Sequence, residues 1–222
     1  IISDKDELEL LPTLAQTYNF SGKYIQLGTN EQAGKLTIAV NEGTIDEIKE
    51  RKPENWVPIG KNSGGKRFAG TFNGNGNTIS GLYYSGSGNG IGLFGAIDKN
   101  ATIQNLKLTN SYFEYTHTSG NAYIGSIAGF GFGTFTNVKS TAEVVCESAY
   151  AGGLVGGLGG YGEAYFNDCW FDGTVRMTNY RCRQAGGFIG SVSTGAMKVE
   201  HCLSSGEIIL PEKAESYHVG GV

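Results

Sequence analysis

Gly90-Ile91-Gly92-Leu93-Phe94-Gly95, Ile124-Gly125-Ser126-Ile127-Ala128-Gly129, Ala151-Gly152-Gly153-Leu154-Val155-Gly156 and Ala185-Gly186-Gly187-Phe188-Ile189-Gly190 are four copies of one short phrase. Their closing glycines, at 95, 129, 156 and 190, are spaced 34, 27 and 34 residues apart. Self-similarity at such a period is the signature of a repeat architecture, in which each unit buries its apolar face against its neighbours. A fifth copy opens at Val219-Gly220-Gly221-Val222, so the chain is expected to stop midway through a repeat and to belong to a longer protein.

A second phrase follows each first one: Ile103-Gln104-Asn105-Leu106, Phe135-Thr136-Asn137-Val138, Phe166-Asn167-Asp168-Cys169 and Val199-Glu200-His201-Cys202. A third, strand-like segment follows at 142–145, 173–177 and 206–210. Each unit reads as three short strands joined by turns. Strands this short are stable only if stacked coil on coil, about 4.8 Å apart, around a continuous apolar core. The period is too short for a propeller blade, which takes roughly 40–50 residues, and too regular for an immunoglobulin-like sandwich. The expectation is an all-β fold, a single-stranded parallel β-helix.

The rest of the composition agrees. The 222 residues include 36 glycines without a collagen period, and 39% are hydrophobic, too many for a disordered linker. A chain of this length buries roughly 70% of its unfolded surface and needs no metal to stay folded. A formal net charge of −4 argues against a nucleic-acid backbone as partner. No apolar run reaches the roughly 20 residues of a membrane span, so no membrane insertion by this segment is expected. The first residue, Ile1, suggests that any signal peptide has been removed.

Towards the amino terminus, Leu8, Leu11, Ala15 and Tyr18 recur at helical spacing behind Ser3 and Asp4, two potential caps. Pro12 sets a start or a bend. This short helix is the candidate cap for the solenoid end, which would otherwise expose unpaired strand edges. The organisation expected is a cap helix and first strand over 1–30, an elaborated loop over 31–55 with a strand at 36–40 and a solvated charged stretch at 46–53, and the β-helix repeats over 56–222.

Trp56-Val57-Pro58-Ile59-Gly60, then Phe68-Ala69-Gly70-Thr71-Phe72-Asn73-Gly74-Asn75-Gly76-Asn77-Thr78-Ile79-Ser80-Gly81-Leu82, then Gly92-Leu93-Phe94-Gly95, resembles the GLUG-repeat family. Gly153-Leu154-Val155-Gly156 stands nearest its namesake motif, while Ser126 and Ala128 depart from it. The resemblance implies a right-handed coil and a place in large secreted or surface-anchored bacterial proteins, described as adhesins and sometimes as regions of immunoglobulin A peptidases.

Chemistry is sparse. His117, His201 and His218 offer no His-Glu-x-x-His spacing, and no GxSxG elbow is present. No cofactor or metal is expected. A β-helix polysaccharide lyase or glycosidase is the enzymatic alternative, with Asp168, Asp172, Arg176, Arg181 and Arg183 as the available cluster. Asp168 and His201 share the slot of Asn105 and Asn137 and could pair between coils, as turn caps first and as chemistry second. Cys169 and Cys202 share a phase and read as stacked free thiols. Cys146 and Cys182 lie in variable connections where a bridge is possible, and three full pairings remain open.

The expected role is a non-catalytic adhesion or binding module, monomeric within its larger protein, whose partner is an extracellular glycan or a host matrix protein. A structural spacer is the bland alternative. Outward aromatic residues would form the platform: Tyr112, Tyr115, Tyr161, Tyr165, Trp170 and Tyr180. The connections 116–122, 179–184 and 211–217 vary between coils and are the places for specificity.

Overall fold

A computed structural model describes residues 1–118, 121–159, 162–179, 182–193, 195–212 and 218–221. The chain winds as a parallel β-solenoid of about four turns and carries two short helices. Among the described residues every strand pair is parallel, and the strands stack into four sheets of 4, 10, 5 and 4 strands.

One circuit visits these sheets in a fixed order. Phe94–Ile97 lies in the first sheet, Thr102–Thr109 in the second, Tyr112–Tyr115 in the third and Tyr123–Gly125 in the fourth. The next circuit repeats the order with Ala128–Gly131, Gly133–Ser140, Glu143–Cys146 and Tyr150–Gly152. First-sheet strands begin at 94, 128, 155 and 189, which reproduces the glycine spacing of the sequence.

A unit therefore has four strand positions rather than three. The first phrase is not one strand but a corner with half a strand on each side: Ile124-Gly125 ends a fourth-sheet strand, and Ala128-Gly129 opens a first-sheet strand. Its closing glycine is required by close approach. A Cβ built on Gly129 would stand 2.4 Å from the Ile91 amide nitrogen, and one on Gly156 only 2.3 Å from that of Ile124. At this edge the first and fourth sheets pack backbone on backbone, which glycine alone allows.

The second phrase marks a kink. Asn105, Asn137, Asp168 and His201 all take left-handed backbone conformations, with φ of 52, 51, 55 and 52°. Asn and Asp enter this region more readily than other residues with a Cβ. Stacking brings the amides together: Asn137 Nδ2 donates to Asn105 Oδ1 (3.0 Å), and Asn105 Nδ2 to Asn73 Oδ1 (3.2 Å). Inside, the register aligns Ile25, Phe72, Ile103, Phe135 and Phe166 in one row, with the rings of Phe135 and Phe166 stacked at 4.6 Å.

Helix α1 (Lys5–Ala15) starts at Asp4, whose side chain accepts from the Glu7 amide at 2.9 Å, and runs through Pro12. It lays Leu8, Leu11 and Ala15 on the core beside Ile2, Ile25 and Leu27. Tyr18 falls beyond the helix and is exposed.

The stretch 31–55 holds the expected strand and, beyond the loop expected, a second helix. Thr37–Ala39 pairs with Thr78–Ser80 and so belongs to the solenoid. The charged stretch forms helix α2 (Ile45–Arg51), opened by a reciprocal capping box between Thr44 and Glu47. Its Asp46, Glu47, Glu50 and Arg51 are exposed, as expected of a solvated charged stretch, but the helix is also docked: Ile48 is fully buried against Tyr83, Tyr112 and Val145 on the outer side of the third sheet. Seven residues carry too few apolar positions to show a period, but Thr44-Ile45-Asp46-Glu47 is a capping-box signal legible in the sequence.

From Phe94 onward, length differences between circuits are confined to corners, whereas the two circuits before it also differ at the kink, where Gln26 to Thr37, Asn73 to Thr78 and Gln104 to Lys107 are equivalent steps. The third-to-fourth connection spans 116–122, 147–149 and 178–183 in successive circuits, and the first-to-second connection 98–101, 132 and 159–162.

Candidate functional site

The second sheet turns one side to the core and the other outward, because successive strand residues alternate. Its outward rows follow from the register. One runs Tyr24, Thr71, Thr102, Thr134, Tyr165, Lys198, and the next Gln26, Asn73, Gln104, Thr136, Asn167, Glu200. Beyond the kink lie Lys107, Lys139, Trp170 and Leu203.

Tyr165 is half-buried on this face. Its hydroxyl donates to Glu200 Oε2 at 2.5 Å, Lys198 Nζ sits 2.8 Å from Glu200 Oε1, and the same ammonium lies 5.3 Å from the Tyr165 ring centre. The hydrogen bond to Glu200 raises the Tyr165 pKa, and the bonds from Lys198 and Tyr165 lower that of Glu200. Near neutral pH the trio is thus a neutral phenol beside a compensated ion pair. An open cleft of about 440 Å³ runs along Glu163, Tyr165, Met197 and Lys198.

Trp170, 36% exposed, donates from Nε1 to Ser205 Oγ (2.7 Å), whose hydroxyl donates onward to Asp172 Oδ1 (2.7 Å). Lys139 Nζ stands 5.9 Å from its ring.

Two other expected platform residues are not available. Tyr112 points outward but lies under α2 with 7% of its surface exposed, and Lys49 Nζ sits 5.1 Å from its ring centre. Burial, then the Glu114 and Glu143 carboxylates, push its phenol well above the ordinary tyrosine value. Tyr115, at 4% exposure, closes its strand within the core cluster. Tyr161 and Tyr180 lie outside the described residues. The structure thus brings Tyr165 and Trp170 to one face.

The carboxylate and arginine cluster is dispersed. Asp168 Oδ1 stands 3.7 Å from His201 Nδ1, and that nitrogen is 3.2 Å from Asn167 Oδ1. Arg176 instead turns to the third sheet, where its Nε and Lys49 Nζ hold the two oxygens of buried Glu143 at 3.1 and 2.9 Å. Arg183 lies over the Tyr150 ring at 5.7 Å, and Arg181 is outside the described residues.

Cys146 and Cys182 form a disulfide across neighbouring circuits. Cys169 and Cys202 are free thiols in adjacent circuits, the first buried and the second half-buried. Burial pushes the Cys169 thiol up to about 12. Among the described residues no group of three or more His, Cys, Asp or Glu could hold a metal ion, and no helix is long and apolar enough to cross a membrane.

Sequence reading missed two features. Tyr123 and Tyr150, each two residues ahead of a phrase glycine, stack at 5.1 Å on the fourth sheet. Their recurrence before Gly125 and Gly152 was the signal. The threonine-rich rows of the second sheet were the other, visible as Thr71-Phe72-Asn73, Thr102-Ile103-Gln104 and Thr134-Phe135-Thr136.

No family model matches the chain. Among curated proteins it is 41% identical over 85 residues to a protein of Evansella cellulosilytica named as a Gly-rich membrane protein, covering 38% of this chain and 9% of that one. It is 35% identical over 122 residues to halomucin of Haloquadratum walsbyi, covering 54% of this chain and 1% of that protein. The chain thus spans a small part of the relatives it matches. No solved structure matches.

Proposed function

We propose that this chain is a non-catalytic binding segment of a larger secreted or cell-surface protein of GLUG-repeat type, presenting the outward side of its second sheet to an extracellular glycan or protein. The observation that carries this reading is the Tyr165 and Trp170 face: two partly exposed aromatic residues on one sheet, the first beside an open cleft and next to the internally compensated Lys198–Glu200 pair. Aromatic side chains with a polar handle serve such contacts well. The names of the two relatives, a membrane protein and a mucin, fit a surface or structural module.

The test is a screen of the purified chain against a glycan array and a panel of matrix proteins, with reducing-end release assayed in parallel. Binding that weakens at least about tenfold in Tyr165→Ala or Trp170→Ala, the loss expected of an interface anchor, supports the reading. Release of reducing ends would replace it with polysaccharide cleavage, and silence in both assays with a structural spacer.

A further inference from the structure

We propose that the outward side of the second sheet is a binding track for a neutral polysaccharide, lying along the solenoid axis over Thr71, Thr102, Gln104, Thr134 and Thr136. This deepens the binding-module reading and rests on it.

The register sets the geometry. Thr71, Thr102 and Thr134 stand in one row, and Gln104 and Thr136 in the next, on consecutive parallel strands. Rungs therefore recur about every 4.8 Å along the axis. All five residues are partly exposed, and none of their side chains hydrogen-bonds to another protein group among the described residues. The adjacent asparagine ladder is different, since Asn137, Asn105 and Asn73 satisfy one another and Asn73 Nδ2 ends on the Tyr24 hydroxyl at 2.5 Å. The track thus pairs a self-satisfied row with a grid of open groups. A threonine hydroxyl and a glutamine amide each donate and accept, which is the complement a sugar hydroxyl needs.

Charge and shape narrow the class. The grid holds no ionisable side chain. Lys198 and Glu200 at its far end neutralise each other at 2.8 Å, and Lys107 and Lys139 lie across the kink. An acidic polymer would find little to hold it there. The grid also lacks the large aromatic or arginine anchors that dominate protein interfaces. Exposed Tyr24 stands at one end of the threonine row and Tyr165 at the other, four strand steps apart, or roughly 19 Å. Each offers a ring to a sugar face. The grid is fixed by strands whose inward residues fill the core, so little ordering cost opposes a long, weakly gripped chain.

The experiment compares the whole chain with a Thr102→Val, Thr134→Val double variant. Valine keeps shape and strand propensity while removing the hydroxyls, and an unchanged melting curve shows that the fold is retained. Probes are immobilised β-glucan, xylan, mannan, galactan and polygalacturonate, then two-sugar and six-sugar fragments of whichever polymer binds.

The expected result is binding to a neutral polymer, tighter for the longer fragment. It should persist in molar salt, where the Debye length is about 3 Å, and weaken about tenfold in the double variant, as for two lost hydrogen bonds. Binding that is indifferent to the double variant but lost in Tyr165→Ala overturns the track and leaves the binding module standing. Binding to polygalacturonate alone, abolished by salt, overturns the neutral ligand. Capture of none of the polymers overturns the track outright, whereas capture of a matrix protein in the broader screen would still sustain the module.

Discussion

At Gly156 the space for a methyl group is already filled: its Cβ would meet the Ile124 amide nitrogen at 2.3 Å and the Gly129 carbonyl oxygen at 2.6 Å. Both obstacles are backbone, and no rotamer change relieves them. Gly156→Ala should therefore destabilise the protein by about 3 kcal/mol or more, the upper range of overpacking, read as a lower midpoint in urea unfolding. A change below about 0.5 kcal/mol, typical of a surface substitution, would mean that the first and fourth sheets can separate freely. The left-handed residues of the second phrase make the same point with side chains present. Asn105 and Asn137 could be recognised from sequence as a recurring slot, yet their φ values and amide chain emerge only once circuits stack.

At the scale of elements, α2 shows why a site can be misjudged while the fold is read well. The repeat phrases made the circuits and their spacing legible, because each recurs with its glycine and apolar positions in phase. Helix α2 does not recur. Its docking through Ile48 hides Tyr112, an outward strand residue that alternation alone would leave accessible. The lysine and arginine that hold Glu143 come from α2 and from the strand Thr174–Met177, far apart in sequence, so no local pattern announces the cluster. Tyr165 and Trp170 stay partly exposed, as alternation along the strand predicts, because no unrepeated element like α2 is docked over them.

The helix also sets a titration. Tyr112 should ionise above ordinary tyrosine in alkaline absorbance titration, and Ile48→Asp, which expels α2, should bring it back towards the ordinary value. A raised folded-state pKa means that the neutral phenol's contribution to stability is complete below the unfolded tyrosine value near 10. That contribution is lost as pH rises through the folded value. An Ile48→Asp titration identical to that of the parent protein would show that α2 is not what shields Tyr112.

Across the whole molecule, circuits contact only their neighbours, so stability is approximately a sum of local terms. Burial is uneven along that sum. Phe94–Ile97 and Ala128–Gly131 are buried throughout, while Val192, Met197, Leu203, Leu210 and Val219, all in the last circuit, are exposed. Hydrogen exchange should follow this gradient, with slow amides in 94–146 and fast amides in 196–209. Uniform protection across both segments would instead indicate a single cooperative unit.

The corner connections carry a different consequence. From Phe94 onward, a circuit that differs by several residues from the next still delivers its strands in register, because the difference lies between the third-sheet and fourth-sheet strands, in 116–122, 147–149 or 178–183, and not within a strand. Phase errors do not accumulate along the axis. Length polymorphism and register are thereby decoupled, and a lineage or an engineer can graft new sequence at a corner, changing what the rim displays, while the stack beneath it keeps its count.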